Sequence, residues 1–258
     1  MKFLDTIIRI LKGNHNADRT AKHEDGGQRH DGSGVHRFAS AAERTISDCR
    51  RIGLLAAAVS AQSGGDSDRS PRDQVRHLIT AAKAANLFVP TERIRSLGDV
   101  VSKRTGESSV LWNRRENAFY KVKNPDAKRP IKRTSNIDWP YEHIIHNILF
   151  PECAYEFVGV TEEFGELRIV LKQQAVSTES FPDSEQIVKA LAERGLYPED
   201  RYFFGDGIVS VTDVGEHGDN VLLGDDGKIY FIDPLIRLHV PAIKAIQLLT
   251  GINPELIK

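Results

Sequence analysis

The stretch Ile208–Leu235, IVSVTDVGEHGDNVLLGDDGKIYFIDPL, decides how this chain is read. It predicts two short apolar strands, Val221–Leu223 and Lys228–Ile232, joined by a Gly-Asp-Asp-Gly turn. Asp213 precedes this hairpin, Asn220 opens it and Asp233 closes it. Three such groups brought together can accept a hydroxyl proton and hold Mg²⁺ against a triphosphate. Asn220 and Asp233 lie thirteen residues apart, and Asp213 lies seven residues before Asn220.

Upstream, Ser109–Trp112 and Ala118–Lys123 alternate as strands around the polar turn Asn113–Asn117. In AFYKVK the lysines sit at i and i+2, so both face one side of the strand. A strand lysine of this kind can reach the α- and β-phosphates of a nucleotide when a helix glutamate positions it. Lys121, after an apolar-aromatic run, is the first candidate and Lys123 the second. Glu142, 21 residues beyond Lys121, falls in the helix predicted over Trp139–Leu149. Before the strand pair, Thr105–Ser109 holds one glycine, Gly106. Its backbone N–H groups could face a phosphate, or the segment is only a turn between strands.

The remaining pattern gives a hairpin over Tyr155–Thr161 and Glu166–Lys172, then a helix over Pro182–Arg194 that Gly195 ends. Strands at Tyr202–Phe204 and Ile208–Val211 and a last helix at Pro241–Leu249 complete the order. Toward the N-terminus, Ser70-Pro71 starts a helix running to about Asn86, and Ala-rich Arg37–Gln62 predicts another. Gly13–His36 and Ser63–Ser70 read as linkers. The irregular spacing of His15, His23, His30 and His36 does not resemble a metal site. Phe3, Leu4, Ile7, Ile8 and Leu11 form one side of a short amphipathic helix, read as docking on the domain or a partner, with membrane-surface attachment as the alternative.

The chain has 258 residues, 40% of them hydrophobic and 28% charged, enough to bury a core. Its net charge of −1 argues against bulk attraction to nucleic acid or membrane. Two cysteines, Cys49 and Cys153, do not make a disulfide framework, and a cytoplasmic location is expected. No apolar run approaches the roughly 18 residues needed to span a bilayer. Lys128, Arg129, Lys132 and Arg133 read as a solvated loop in preference to a phosphate contact. His217 and Asp219 read as loop polar groups, with an extra acid–base pair as the alternative, and Trp112 and Trp139 as packing aromatics.

From about Leu97 to Leu238 the chain resembles the kinase-like domains of polyvalent proteins of phages and mobile elements. The resemblance rests on GESSVLW, FYKVKNP, YEHIIHNILFPE, FVGV with GELRIVLKQ, and TDV…NVLLGDDGKIYFIDPLIRL. It implies ATP and Mg²⁺ as cofactors, Asp213 in the catalytic position, and Asn220 and Asp233 in the metal positions. Lys121, Glu142 and Gly106 would then serve the nucleotide. The family pattern is closer to D-V-x-x-x-N, so Gly215–Asp219 carries two extra residues. Pro234-Leu235 stands where many protein kinases have Phe-Gly, and Val211-Thr212 where they have His-Arg.

The expected fold is α+β, a reduced two-lobed protein-kinase-like fold with a short C-terminal lobe, preceded by a helical N-terminal region. The expected division is an amphipathic helix and linker over 1–36, a helical region over 37–96, an N-lobe over 97–178 and a truncated C-lobe over 179–258. The expected function is ATP- and Mg²⁺-dependent phosphotransfer to a hydroxyl on an unidentified protein or small molecule. Two alternatives stand beside it: a catalytically inactive interaction module, and a small-molecule kinase of the aminoglycoside-phosphotransferase type.

Overall fold

The computed structural model describes residues 43, 45–53, 71–103, 108–124, 141–163, 165–215 and 220–253. The predicted helix at Phe3–Leu11, the linkers 13–36 and 63–70, and the basic run 128–133 lie outside them.

Five strands, β1 (Asp99–Lys103), β2 (Ser108–Asn113), β3 (Ala118–Lys123), β4 (Tyr155–Glu163) and β5 (Glu166–Gln174), form an antiparallel sheet. Their order, β1-β2-β3-β5-β4, puts β3 in the middle. That position explains its composition: five of the six residues of AFYKVK are buried, as in a strand paired on both edges and covered on both faces. The hairpin β2–β3 keeps its predicted turn, with Trp112 opposite Phe119 and Asn113 opposite Ala118.

Two smaller antiparallel sheets follow. β6 (Thr178–Ser180) flanks the hairpin β10 (Val221–Gly224) and β11 (Ile229–Phe231). The other joins β7 (Tyr197–Pro198), β8 (Phe204–Gly205), β9 (Val209–Thr212) and β12 (Leu235–Leu238). The mixed α+β character with antiparallel sheets agrees with the expectation.

The helices are α1 (Pro71–Ala84), α2 (Thr91–Arg95), α3 (Glu142–Leu149), α4 (Ser184–Ala192) and α5 (Ala242–Thr250). α4 starts two residues later than Pro182 because Asp183 caps it. Asp183 accepts from the Gln186 N–H, and the Gln186 side chain accepts from the Asp183 N–H. Gly195, at φ 75°, follows the helix in the left-handed conformation that glycine adopts without strain. The strand expected at Tyr202–Phe204 begins only at Phe204, since Asp200 Oδ1 accepts from the Tyr202 and Phe203 N–H groups and holds a turn there.

One core joins most of these elements. Ile144, Ile145 and Leu149 of α3 pack with Phe150, Phe157, Leu191, Val211, Phe231 and Ile246. The N-terminal part is built into the same core. Cys49 and Ile52 of the helical segment 45–53 are fully buried, and Arg51 donates to the Phe157 carbonyl at 2.9 Å. Beyond α1, the Val89 N–H donates to the Val160 carbonyl, and the Val160 N–H to the Leu87 carbonyl, both at 2.8 Å. A Cβ at Gly159 would stand 2.3 Å from the Leu87 carbonyl oxygen, so glycine is what permits this approach. Both cysteines are free and buried, and burial pushes each thiol up to about 12. Among the described residues, no helix is long and apolar enough to cross a membrane.

Candidate functional site

The site starts from the i, i+2 rule on β3. Lys121 and Lys123 project from one face of the strand, and both reach the end of β11. Lys121 is 7% exposed and donates to the Ile232 carbonyl at 2.8 Å and to Tyr155 Oη at 2.9 Å. Its Nζ lies 3.9 Å from Asp233 Oδ1. Lys123 Nζ makes the closer ion pair, 2.5 Å from the same oxygen.

Tyr155 ties these groups together. Its hydroxyl donates to the Ile232 carbonyl at 2.6 Å and lies 3.2 Å from Asp233 Oδ1. Asn147 of α3 clamps the backbone of Tyr155, donating to its carbonyl and accepting from its N–H, both at 2.7 Å. Next to it, His146 Nε2 donates to the Phe231 carbonyl at 2.8 Å. The helix after β3 therefore anchors both the tyrosine and the strand that carries Asp233.

Electrostatics follow this geometry. Burial drives the Lys121 pKa down to about 8, against the opposing pull of Asp233 and with help from the charge of Lys123. For Asp233, burial works against the charged form. The charges of Lys121 and Lys123 outweigh it and hold the carboxyl below the usual carboxylate range.

Asp233 meets the other two residues of the motif through strand pairing. Val221 pairs with Phe231, and the Ile232 N–H donates to the Asn220 carbonyl at 2.8 Å. Leu235 pairs with Thr212, which brings Asp213 beside the Asp233-Pro234 corner. Asn220 Nδ2 donates to Asp213 Oδ2 at 2.7 Å and to the Asp213 carbonyl at 3.1 Å. Asp213 sits at φ 62°, a left-handed conformation that Asp and Asn tolerate better than most residues.

The structure thus brings Lys121, Asp213, Asn220 and Asp233 together, with Lys123 as a second cation. Glu142 opens α3 half-buried, and it is not an ion-pair partner of Lys121, whose carboxylate neighbour is Asp233. Gly106, His217 and Asp219 lie outside the described residues, as does Trp139. Trp112 packs against Phe119 with ring centroids 4.7 Å apart, in a cluster with Val110 and Leu222. A separate cleft of about 420 Å³, lined by Glu152, Lys189, Arg194 and Lys228 among others, includes none of the expected site residues.

Sequence reasoning missed Tyr155, Asn147 and His146. Tyr155 opens an apolar strand, YEFVGV, where an aromatic residue reads as core. Asn147 and His146 belong to no spaced motif, and the i, i+4 spacing of apolar residues around them signals only a helix.

A magnesium ion fits the oxygen atoms that remain. Among the described residues, Asp233 Oδ2, Asn220 Oδ1 and Asp213 Oδ1 take part in no hydrogen bond or ion pair. No group of three or more His, Cys, Asp or Glu is placed to hold a metal among those residues. Mg²⁺ does not need one: it keeps several waters and binds through one or two protein ligands plus substrate phosphates.

A family model described as a serine/threonine/tyrosine kinase found in polyvalent proteins matches residues 72–240. No curated protein and no solved structure matches the chain.

Proposed function

Since the chain belongs to the kinase family found in polyvalent proteins, we propose that it transfers a phosphoryl group from ATP, with Mg²⁺, to a hydroxyl acceptor. The observation that carries this reading is the meeting of Lys121 and Lys123 with Asp233, next to Asn220 and Asp213.

In this reading the phosphates of ATP take the place that Asp233 now occupies for Lys123 and come within reach of Lys121. Lys121, buried and held by Tyr155, is the fixed cation, and Lys123 is the more exposed one. Asn220 and Asp233 would hold the metal. Mg²⁺ would supply charge neutralisation on the phosphates. Asp213 accepts the acceptor's hydroxyl proton or orients that hydroxyl, and Asn220 holds the Asp213 carboxylate in place. Most of the rate gain then comes from positioning and from preorganised charge. Glu142 contributes negative charge at the start of α3, and Gly106 belongs to the segment that covers the phosphates.

The proposed organisation has two lobes, 97–178 and 179–258, with the cleft between them. Residues 71–96 pack onto the first sheet and support that lobe. A second reading, an interaction module that keeps the fold without transfer, draws support from one observation: Lys121 faces Asp233 and not Glu142.

Magnesium-dependent ATP binding, measured by calorimetry on the wild type and on Asp233→Ala, tests the proposal. Binding by the wild type that falls at least about tenfold in the variant is expected. Equal binding with and without Mg²⁺ in both proteins would overturn it. Transfer to an offered hydroxyl or to the chain itself separates the kinase from the inactive module.

A further inference from the structure

Of the two lysines on this face of β3, the more exposed Lys123 makes the closer ion pair with Asp233. Lys123 Nζ stands 2.5 Å from Asp233 Oδ1, while Lys121, the buried lysine, stays 3.9 Å away. Lys121 is already satisfied by the Ile232 carbonyl and Tyr155 Oη. Among the described residues Lys123 has Asp233 as its hydrogen-bond acceptor, with the Tyr155 ring 5.7 Å beneath its ammonium. The Lys123 side chain is 21% exposed and that of Asp233 35% exposed, so the pair lies at the edge of the site, where a solvent-borne group can reach it.

The geometry points to Lys123 as an internal counter-ion of Asp233, which keeps a divalent cation off the site until a polyphosphate chain draws the ammonium away. This rests on the reading of Asp233 as a metal ligand and adds an order of binding to it. An ammonium and a divalent cation at the same carboxylate repel one another, so the metal binds weakly while Lys123 holds Asp233. A triphosphate offers Lys123 several acceptor oxygens of higher charge than one carboxylate. Once Lys123 turns to them, Asp233 loses its closer cation and keeps only Lys121 at 3.9 Å, and the metal becomes its new partner beside the incoming phosphates. Lys121 does not make this exchange, because the Ile232 carbonyl and Tyr155 keep it in place. The two lysines of β3 thus divide the work, one fixed and one mobile, although they share one face of the strand.

Binding of Mn²⁺ alone, followed by electron paramagnetic resonance of the free ion, reads this without any turnover. Lys123→Met is expected to bind Mn²⁺ about tenfold more tightly than the wild type, and Lys123→Arg to stay at the wild-type level. Adding Asp233→Asn to Lys123→Met should remove the gain. Unchanged affinity in Lys123→Met, or a gain that survives Asp233→Asn, would overturn the counter-ion role. If Lys123→Met does not fold, equilibrium dialysis of the wild type decides. Manganese retained on the protein should rise when inorganic triphosphate is added, and measurable retention that is equal without it overturns the inference. Failure of the kinase reading itself would look different: the wild type would retain neither manganese triphosphate nor manganese ATP.

Discussion

Asn220 donates through Nδ2 to the Asp213 carboxylate at 2.7 Å and to the Asp213 carbonyl at 3.1 Å, seven residues away in the chain. The seven-residue spacing therefore leaves the two side chains in contact. Asn220 stays in place because its carbonyl accepts from the Ile232 N–H, and Asp213 because β9 pairs with β12.

A first prediction follows for Asp213. Asparagine tolerates its left-handed backbone and keeps its size, so Asp213→Asn tests the carboxylate without straining the turn. A general base is worth roughly 10² to 10⁴ in rate. The variant should lose about 10²-fold or more in kcat while the Kd for magnesium ATP changes less than about threefold. Full activity in Asp213→Asn would remove the base assignment.

Tyr155 carries the second. Its hydroxyl sits between Lys121 Nζ, the Ile232 carbonyl and Asp233, so Tyr155→Phe deletes a buried polar bridge and leaves the ring in place. Loss of about 1–2 kcal/mol of stability is expected in urea denaturation. A double-mutant cycle with Lys121→Met should show coupling above about 0.5 kcal/mol, since the two side chains are in direct contact. Additive effects would mean that the hydroxyl does not hold the lysine.

What the sequence revealed and what it hid have separate physical causes. The hairpin at Asn220–Asp233 was legible because turn glycines bracket two short apolar runs, and the lysine face of β3 because a strand has period two. Pairing partners were not. Nothing local says that LIRL, at Leu235–Leu238, returns to pair with Val209–Thr212, or that Thr178–Ser180 joins β10. Leu87–Val89 has no alternating pattern of its own, yet it bonds to Val160, a contact made possible by Gly159 more than seventy residues away. The contact of Lys121 with Asp233 was equally hidden, since 112 residues separate them and no local spacing links a strand lysine to that carboxylate.

Acid stability gives the third prediction. His143 is 4% exposed, stacks on Phe157 at 5.4 Å between ring centroids, and neither ring nitrogen has a hydrogen-bond partner. Burial pushes its pKa down to about 3, with His146, Lys123 and Arg51 adding to the effect, and burial brings His146 to about 4. Both folded-state values lie below the unfolded value of 6.5, so the folded chain binds fewer protons. Stability is then fully present above pH 6.5 and falls as pH drops toward 4, by up to about 1.4 kcal/mol per pH unit for each histidine. Leucine at position 143 forfeits no hydrogen bond, so His143→Leu should hold or raise stability at pH 7 and lessen the loss at pH 5. Urea midpoints at the two pH values measure both, and an unchanged acid slope would show that His143 is not the titrating group.

The last prediction concerns where the folded unit begins. Cys49 and Ile52 are fully buried in the main core, and Arg51 reaches the Phe157 carbonyl on β4 from the same turn of helix. The family match starts only at residue 72, so the helical segment 45–53 lies outside it while belonging to the core. Ile52→Ala should cost about 2–4 kcal/mol, the range for removing a large apolar side chain from a packed site. Deletion of residues 1–36 should leave the urea midpoint within error of the full chain, whereas deletion of 1–53 should lower it by more than Ile52→Ala does. The two deletions separate a docked appendage from a structural part. If removing 1–53 left stability and nucleotide binding unchanged, the burial of Cys49 and Ile52 would contribute nothing to the fold. If removing 1–36 already lowered both, the N-terminal apolar side Phe3–Leu11 would be part of the core as well.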